Sequence, residues 1–363
     1  MAKQPSLPSS AAAGLQRRVI STMPSLSRAK PFADRCLLAL IALGCAVQSC
    51  AGQSSPSRAV PLRLMFDSNR SGNFEIWSTS LDGSDMKQVT DDRRFDTWWV
   101  RVAPDRKTFI CYRSPVGSGD NSYKKAALWK MDIDGSNSRE IIPQGAYDWT
   151  AQGTADWSPD GKHLVMAATT PSGRWHLMVT NADGKRPVQI SRRKGLFADP
   201  SWSPDGKRIV YSAFPAGYKG ISLTKLEIHV ARADGTGERR LTFDNLRDHD
   251  PYWSPDGRLI AFETAVDPVY LLLGKWAIRV VQPDGEGLRE VINDGHINTV
   301  PRWAPDSTTL FFHRLRFWKK DRFNIWRIGI DGKGLRQITE SSDYKHQSVD
   351  VPAQTSRVRR AGL

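Results

Sequence analysis

Apolar and polar residues alternate with a period of two through short runs along most of the chain, and turn residues punctuate the runs. Lys207-Arg208-Ile209-Val210-Tyr211-Ser212 directs alternate side chains to opposite faces, the pattern of a half-buried strand. Ahead of it stands Trp202-Ser203-Pro204-Asp205-Gly206, and the same phrase recurs at Trp157-Ser158-Pro159-Asp160-Gly161 and Trp253-Ser254-Pro255-Asp256-Gly257. Looser copies occur at Val102-Ala103-Pro104-Asp105-Arg106 and Trp303-Ala304-Pro305-Asp306-Ser307. Proline presets the backbone for a turn, aspartate bonds its own main chain and glycine accepts positive φ, so each phrase predicts a hairpin. The prolines at 104, 159, 204, 255 and 305 are about 45 to 55 residues apart, the period of a repeated supersecondary unit.

Each unit has a second half. A third strand such as Leu226-Glu227-Ile228-His229-Val230 runs through Asp234-Gly235 into a fourth at Arg240-Leu241-Thr242. This half returns with Asp82-Gly83, Asp134-Gly135, Asp183-Gly184, Asp284-Gly285 and Asp331-Gly332. Four short strands per unit predict β-propeller blades. Helical repeats of similar period would need i, i+3, i+4 apolar spacing and few Pro-Asp-Gly turns. Five first hairpins face six second halves, and the orphan half comes first, from Leu62 to Thr90. The run Tyr344 to Pro352 supplies the missing strand, with Pro352 falling 47 residues after Pro305. The expectation is an all-β, six-bladed propeller over residues 61–352, closed by pairing of the amino- and carboxy-terminal strands so that no sheet edge stays open.

These repeats resemble the TolB-type, or WD40-like, propeller family of bacterial envelopes. Phe66-Asp67-Ser68-Asn69-Arg70-Ser71-Gly72-Asn73-Phe74-Glu75-Ile76-Trp77 and the Trp-Ser-Pro-Asp-Gly-Lys phrases carry the resemblance. It implies a non-enzymatic binding scaffold whose partner is an envelope protein or a cell-wall polymer. TolB proper carries an α/β domain ahead of its propeller, whereas about nine residues separate the leader from the first strand here, so a stand-alone propeller is expected.

Residues 1–51 read as a leader: Arg28, Lys30 and Arg35 precede an apolar run from Cys36 to Val47 that is too short to span a bilayer. Met23 is an alternative start. Ser49-Cys50-Ala51 offers small residues for cleavage, and Val47-Gln48-Ser49-Cys50 resembles a lipoprotein box with Cys50 acylated. The expected location is therefore the periplasm or the outer membrane, free or lipid-anchored, with no membrane span. Residues 52–60 read as a linker and 353–363 as a disordered basic tail. The net charge is +14; the first 51 residues hold six basic and one acidic side chain, and subtracting that +5 leaves about +9. A basic exported monomer suits anionic surfaces, and its compartment argues against nucleic acid. Cys111 alone of the four cysteines falls in the fold, where it reads as a small buried apolar residue.

Long loops on a rigid scaffold are where binding concentrates. Those joining second to third strands span 113–125, 213–225, 264–275 and 315–322, and their face is the expected binding face. On it, Arg314, Arg316, Phe317, Trp318, Lys319, Lys320 and Arg322 interleave cations and rings, a chemistry for acidic protein segments or sugars. Val269-Tyr270-Leu271-Leu272-Leu273 reads as an apolar lid. At the channel mouth, Asp199, His249, Asp250, His296 and His346 form a second candidate. Imidazole with carboxylate can hold a divalent metal, and some metal-dependent pectic lyases are propellers with histidines near the channel. The alternative function is thus a metal-dependent lyase or hydrolase of acidic polysaccharide, its metal on His249, His296 and His346; the first reading needs no cofactor. Asp199 and Asp250, each before a proline, also read simply as turn initiators.

Overall fold

The computed structural model describes residues 62–119, 122–220, 222–244, 246–267, 274–315, 322–340 and 346–350, the last as a strand only. All of them belong to the unit Ala59–Leu363. The leader, linker and tail, with Cys50, lie outside the described residues, as does the expected lid 269–273.

The fold is an all-β propeller. Its described strands form four sheets of four strands and one of eight. A single parallel bridge, Trp276 to Ile297, joins the two halves of the eight-stranded sheet, 247–292 and 297–337. The first sheet opens with the last strand of the chain: His346–Asp350 pairs antiparallel with Arg63–Ser68, setting Phe66 opposite Val349. The opening strands of successive sheets abut: Phe95–Val102, Ala151–Trp157, Phe197–Trp202, Arg247–Trp253, Ile297–Trp303 and His346–Asp350, the last touching the first.

The repeated phrase does two jobs. Ser158 donates to Asp160 (2.6 Å) while accepting from His163 N–H (2.9 Å), and Asp160 also accepts from Lys162 N–H (3.0 Å). The same bonds close the turns at Ser203-Asp205 and Ser254-Asp256. The tryptophan then ties opening strands together: Trp157 Nε1 donates to Arg101 O of the preceding sheet at 3.1 Å, and Trp303 Nε1 to Tyr252 O across the two halves of the eight-stranded sheet at 3.0 Å. The later Asp-Gly turns lie against the neighbouring sheet. A β-carbon on Gly83, Gly135 or Gly235 would collide with the carbonyl of Ile338, Val89 or Ile190 respectively, so only glycine allows that approach.

A further lock joins third and fourth strands. Thr242 Oγ1 accepts from Ile228 N–H (3.0 Å) and donates to buried Glu227 (2.7 Å). Thr90 with Ile76 N–H and Glu75 does the same, and Thr339 with Ile325 N–H and Asn324. Between the sheets the core is apolar; one cluster packs Leu177, Ile190, Phe197, Ile209 and Tyr211, and another Val210, Ile228, Trp253, Ile260 and Phe262. Cys111 is fully buried in Thr108–Pro115, and burial pushes its thiol up to about 12, leaving it inert.

Candidate ligand cavity on the propeller axis

The opening strand of each sheet is broken at one place. Pairing slips between Trp98 and Arg101, Gly153 and Asp156, Ala198 and Ser201, His249 and Tyr252, and Thr299 and Arg302. At the centre of each slip the backbone is left-handed, with φ of 59° at Trp99, 51° at Thr154, 49° at Asp199, 47° at Asp250 and 53° at Val300. These are β-bulges, which bend a strand and re-aim its side chains. Asp199 and Asp250 therefore sit mid-strand in bulges, and their reading as turn initiators is corrected. Carboxylates outside the bulged hairpin catch the bulge amides: Trp99 N–H donates to Asp67 of the first sheet (3.2 Å), and Val300 N–H to Glu263 of the other half of the eight-stranded sheet (2.6 Å).

The bulges bring five opening strands, from four sheets, to the wall of a cavity of about 510 Å³. Its upper walls come from the long loops and from a connector between sheets, through Tyr123, Leu223 and Leu196. Trp175, Trp276 and Phe323 add aromatic surface, and Tyr123 meets Trp175 edge-on at 6.0 Å. On the floor, His249 lies among three carboxylates. Nε2 is 2.8 Å from Asp199, and Nδ1 is 3.2 Å from Asp250 and 3.4 Å from Glu263.

Electrostatics fixes the charge states. Burial opposes protonation of His249, but Asp199 and Asp250 outweigh it and hold its pKa well above the ordinary imidazole value. Burial also penalises the Asp250 carboxylate, yet His249, Arg302 and Arg101 bring it down to about 2. Glu263 goes the other way: burial, joined by the charge of Asp250, raises it. His313, also at the wall, is pushed down to about 3 by burial and by Arg302, so it is neutral. Beneath the floor a second void of about 10 Å³, the lower limit for one water, is bounded by Thr154, Asp199, Asp250, Arg101 and Arg302.

Asp199, His249 and Asp250 can present ligand atoms within 4.8 Å of one another, a donor set suited to a divalent cation. The pairing speaks against that use, because an imidazolium with both nitrogens on carboxylates has no lone pair to give. A second acidic group, Glu227, Asp244 and Asp248, is already neutralised: Glu227 pairs with Arg240 at 2.7 Å and Asp244 with Arg279.

Of the expected site residues, the structure unites Asp199, His249 and Asp250. His296 is not with them, which corrects the expected three-histidine set. It stands three residues from the register of His249, about 10 Å along a strand, and its Nδ1 lies 3.2 Å from Asp294. The side chain of His346 lies outside the described residues, as do Arg316, Phe317, Trp318, Lys319 and Lys320. Arg322 is exposed. Arg314 is not displayed on the loop: it is buried, bonded to Asn298 (2.7 Å) and Asp294 (2.7 Å), and stacked over Trp326. The sequence reading missed Glu263 and His313. Both occupy the second-strand position paired with the residue before the bulge, where other sheets have Tyr112, Ala167 and Ser212. Comparing second strands in register would have found them.

Residues 118–349 match the family described as TolB beta propeller domain. The chain belongs to that family. An uncharacterized protein of Agrobacterium fabrum is 28% identical over 113 residues, 30% of this chain, and the match spans 36% of that relative's length. Among solved structures, TolB from Acinetobacter baumannii superposes with a TM-score of 0.63 at 15% identity, over 80% of this chain and 67% of the other. A putative TolB from Agrobacterium tumefaciens gives 0.58 at 17% identity, over 80% and 99%. An oligogalacturonate lyase in complex with manganese gives 0.51 at 12%, over 77% and 74%. At these identities the structural likenesses speak for the TolB-type propeller fold alone.

Proposed function

We propose that this TolB-family propeller is an exported, non-catalytic binding scaffold of the bacterial envelope, with the axial cavity as its ligand-receiving surface. One observation carries the reading: a cavity bordered by the long loops and walled by aromatic side chains from several sheets, on whose floor His249 is held between Asp199, Asp250 and Glu263. A catalytic base needs an available lone pair, and both nitrogens of His249 face carboxylates. Counting the eight-stranded sheet as two blades, the proposal takes the ring as six-bladed and closed through His346–Asp350. The packing of Gly83 against Ile338 supports this closure, since it joins the first sheet to the last. The leader pattern of residues 1–51 supports export, free or with Cys50 acylated.

The lyase reading is not adopted, because its three-histidine set is broken at His296. Cross-linked capture from solubilised envelope fractions tests the scaffold. Ala198→Trp, which fills the cavity from a partly exposed wall position, should abolish capture of a specific partner. Capture unchanged by that variant would refute the cavity as the binding surface. Metal-dependent turnover of uronate polymers by the wild type would restore the lyase reading.

A further inference from the structure

We infer that the long-loop face docks on an anionic phospholipid bilayer surface through an arc of cations, one at the entry to each of five third strands. This goes beyond the cavity reading, and partner capture by the cavity can stand or fall without it.

The arc emerges when the third strands are aligned on the residue whose N–H the lock holds. Ile76, Ile228 and Ile325 give their N–H to Thr90, Thr242 and Thr339, and Leu177 gives its own to Ser191 at 3.2 Å. Leu128 and Ile278 hold the same place in the other two third strands, facing Ile142 and Ile292. Three residues ahead of these positions, in chain order, stand Asn73, Lys125, Arg174, Lys225, Lys275 and Arg322. Only the first sheet departs from the pattern, and there Asn73 is spent on structure, donating to Phe95 O at 2.6 Å.

The register puts these cations around the cavity mouth. Arg174, Lys225, Lys275 and Arg322 immediately precede the wall residues Trp175, Leu226, Trp276 and Phe323, and Lys125 stands two residues after Tyr123. Lys225 is half-buried and the other four are exposed. The side chains of Lys125, Arg174 and Lys275 make no hydrogen bond or ion pair among the described residues, so their charge is not needed to hold the fold.

The two faces differ in charge. Three carboxylates of the long-loop face, Asp92, Asp244 and Asp294, are paired with Arg94, Arg279 and Arg314. Exposed Arg93, Lys124, Lys194 and Lys219 reinforce the arc, against Asp91, Asp148, Asp267 and Glu340. The opposite face is balanced: Lys162, Lys207 and Arg258 each stand two residues from the aspartate of their own turn, and every later Asp-Gly turn adds another aspartate.

Flatness selects the partner. Equivalent positions of repeats set about one axis share one height along it, so the five cations lie near one plane. A linear acidic chain crossing the mouth meets some of them, whereas an anionic sheet meets all at once. Each Lys or Arg brought to such a surface strengthens binding about fivefold, and salt screens the attraction.

Flotation of the full chain with vesicles tests the inference. Phosphatidylcholine vesicles are compared with vesicles containing about one-third phosphatidylglycerol, at about 0.1 M and about 1 M salt. The chain should float with the anionic vesicles at low salt and leave them at high salt. Lys125→Gln, Arg174→Gln and Lys275→Gln together should weaken binding about a hundredfold. Lys162→Gln, Lys207→Gln and Arg258→Gln together remove as much charge from the opposite face and should leave binding within about fivefold of the wild type. Both triple variants keep residues 1–61 intact, so whatever the leader contributes is common to all three proteins, and circular dichroism checks each fold. The inference is overturned if anionic vesicles bind the chain no better than neutral ones, or if the two triple variants weaken binding alike. It is overturned equally if inorganic phosphate at constant ionic strength releases the chain, or if polyglutamate captures it while anionic vesicles do not. None of these outcomes bears on partner capture, which Ala198→Trp reads separately.

Discussion

His249→Gln is the most informative single substitution, because it removes the cation and nearly keeps the shape. It leaves Asp199 and Asp250 with oxygens no more than 4.8 Å apart. At an effective dielectric constant of about 20, two like charges at that distance repel by about 3.5 kcal/mol. The site can escape by protonating one carboxylate, which from an ordinary pKa of 3.8 costs about 4 kcal/mol at pH 7. The two routes cost about the same, so a loss of about 3–4 kcal/mol at neutral pH is expected, within the range for breaking a buried ion pair. At this chain size that lowers Tm by about 7 °C.

The pH dependence separates this cause from lost packing. In the wild type, the depressed Asp250 contributes stability above its unfolded pKa of 3.8, and that contribution is lost as pH falls toward 2. The raised His249 contributes stability that is full below 6.5 and lost as pH rises through its folded pKa. The difference between variant and wild type should thus be largest from about pH 5 to pH 6.5, falling as pH rises toward the raised His249 pKa and as it drops toward 2. Urea unfolding from pH 3 to pH 9 measures it. A flat difference, or one below about 1 kcal/mol at pH 7, would refute the ion-pair account. Adding Asp199→Asn should recover part of the loss, since it removes the uncompensated charge.

Three further outcomes follow from the packing. Gly235→Ala should cost more than about 2 kcal/mol by urea unfolding, since φ is +80° and the new β-carbon meets the Ile190 carbonyl. Trp157→Phe strands the Arg101 carbonyl and should cost about 1–3 kcal/mol more than Trp202→Phe, whose Nε1 has no partner to lose. Thermal unfolding with and without Mn²⁺, Ca²⁺ or Zn²⁺ should give the same Tm; a rise saturating with one ion would return Asp199, His249 and Asp250 to a metal site.

The propeller was legible because its signals are local. Ser-Pro-Asp-Gly-Lys closes a hairpin through bonds among its own residues, so the phrase carries its geometry wherever it stands. The Glu227–Thr242 lock was legible in principle: its partners stand 15 residues apart, as do Glu75 and Thr90, and Asn324 and Thr339. The site was harder. Counting back from each landmark proline found Asp199, His249 and Asp250, which lie on the strand that carries the landmark. Glu263 reaches His249 from the next strand, so only strand pairing reveals it. Arg314 failed for a related reason. Sequence places it where a loop begins, but it is the penultimate residue of Thr309–Leu315, where Asn298 on the paired strand and Asp294 just ahead of that strand draw it inward.

Left-handed residues in a cavity wall invite a functional reading, since strain often gathers at active sites. Here the strain recurs with unrelated side chains. Tryptophan, threonine, aspartate and valine all adopt φ near 50°, and β-branched Thr154 and Val300 pay most for it. What they share is the slip of pairing in an opening strand and, at Trp99 and Val300, an amide caught by a carboxylate from outside its own hairpin. The bulge is therefore a constant of the architecture, a bend each opening strand makes on the axis. Chemical individuality enters only through what each sheet hangs on that bend, and five copies of one backbone device carry five different walls. Function in this chain is to be sought where the repeats disagree in side chain while agreeing in backbone, and His249 with its three carboxylates is the sharpest such disagreement.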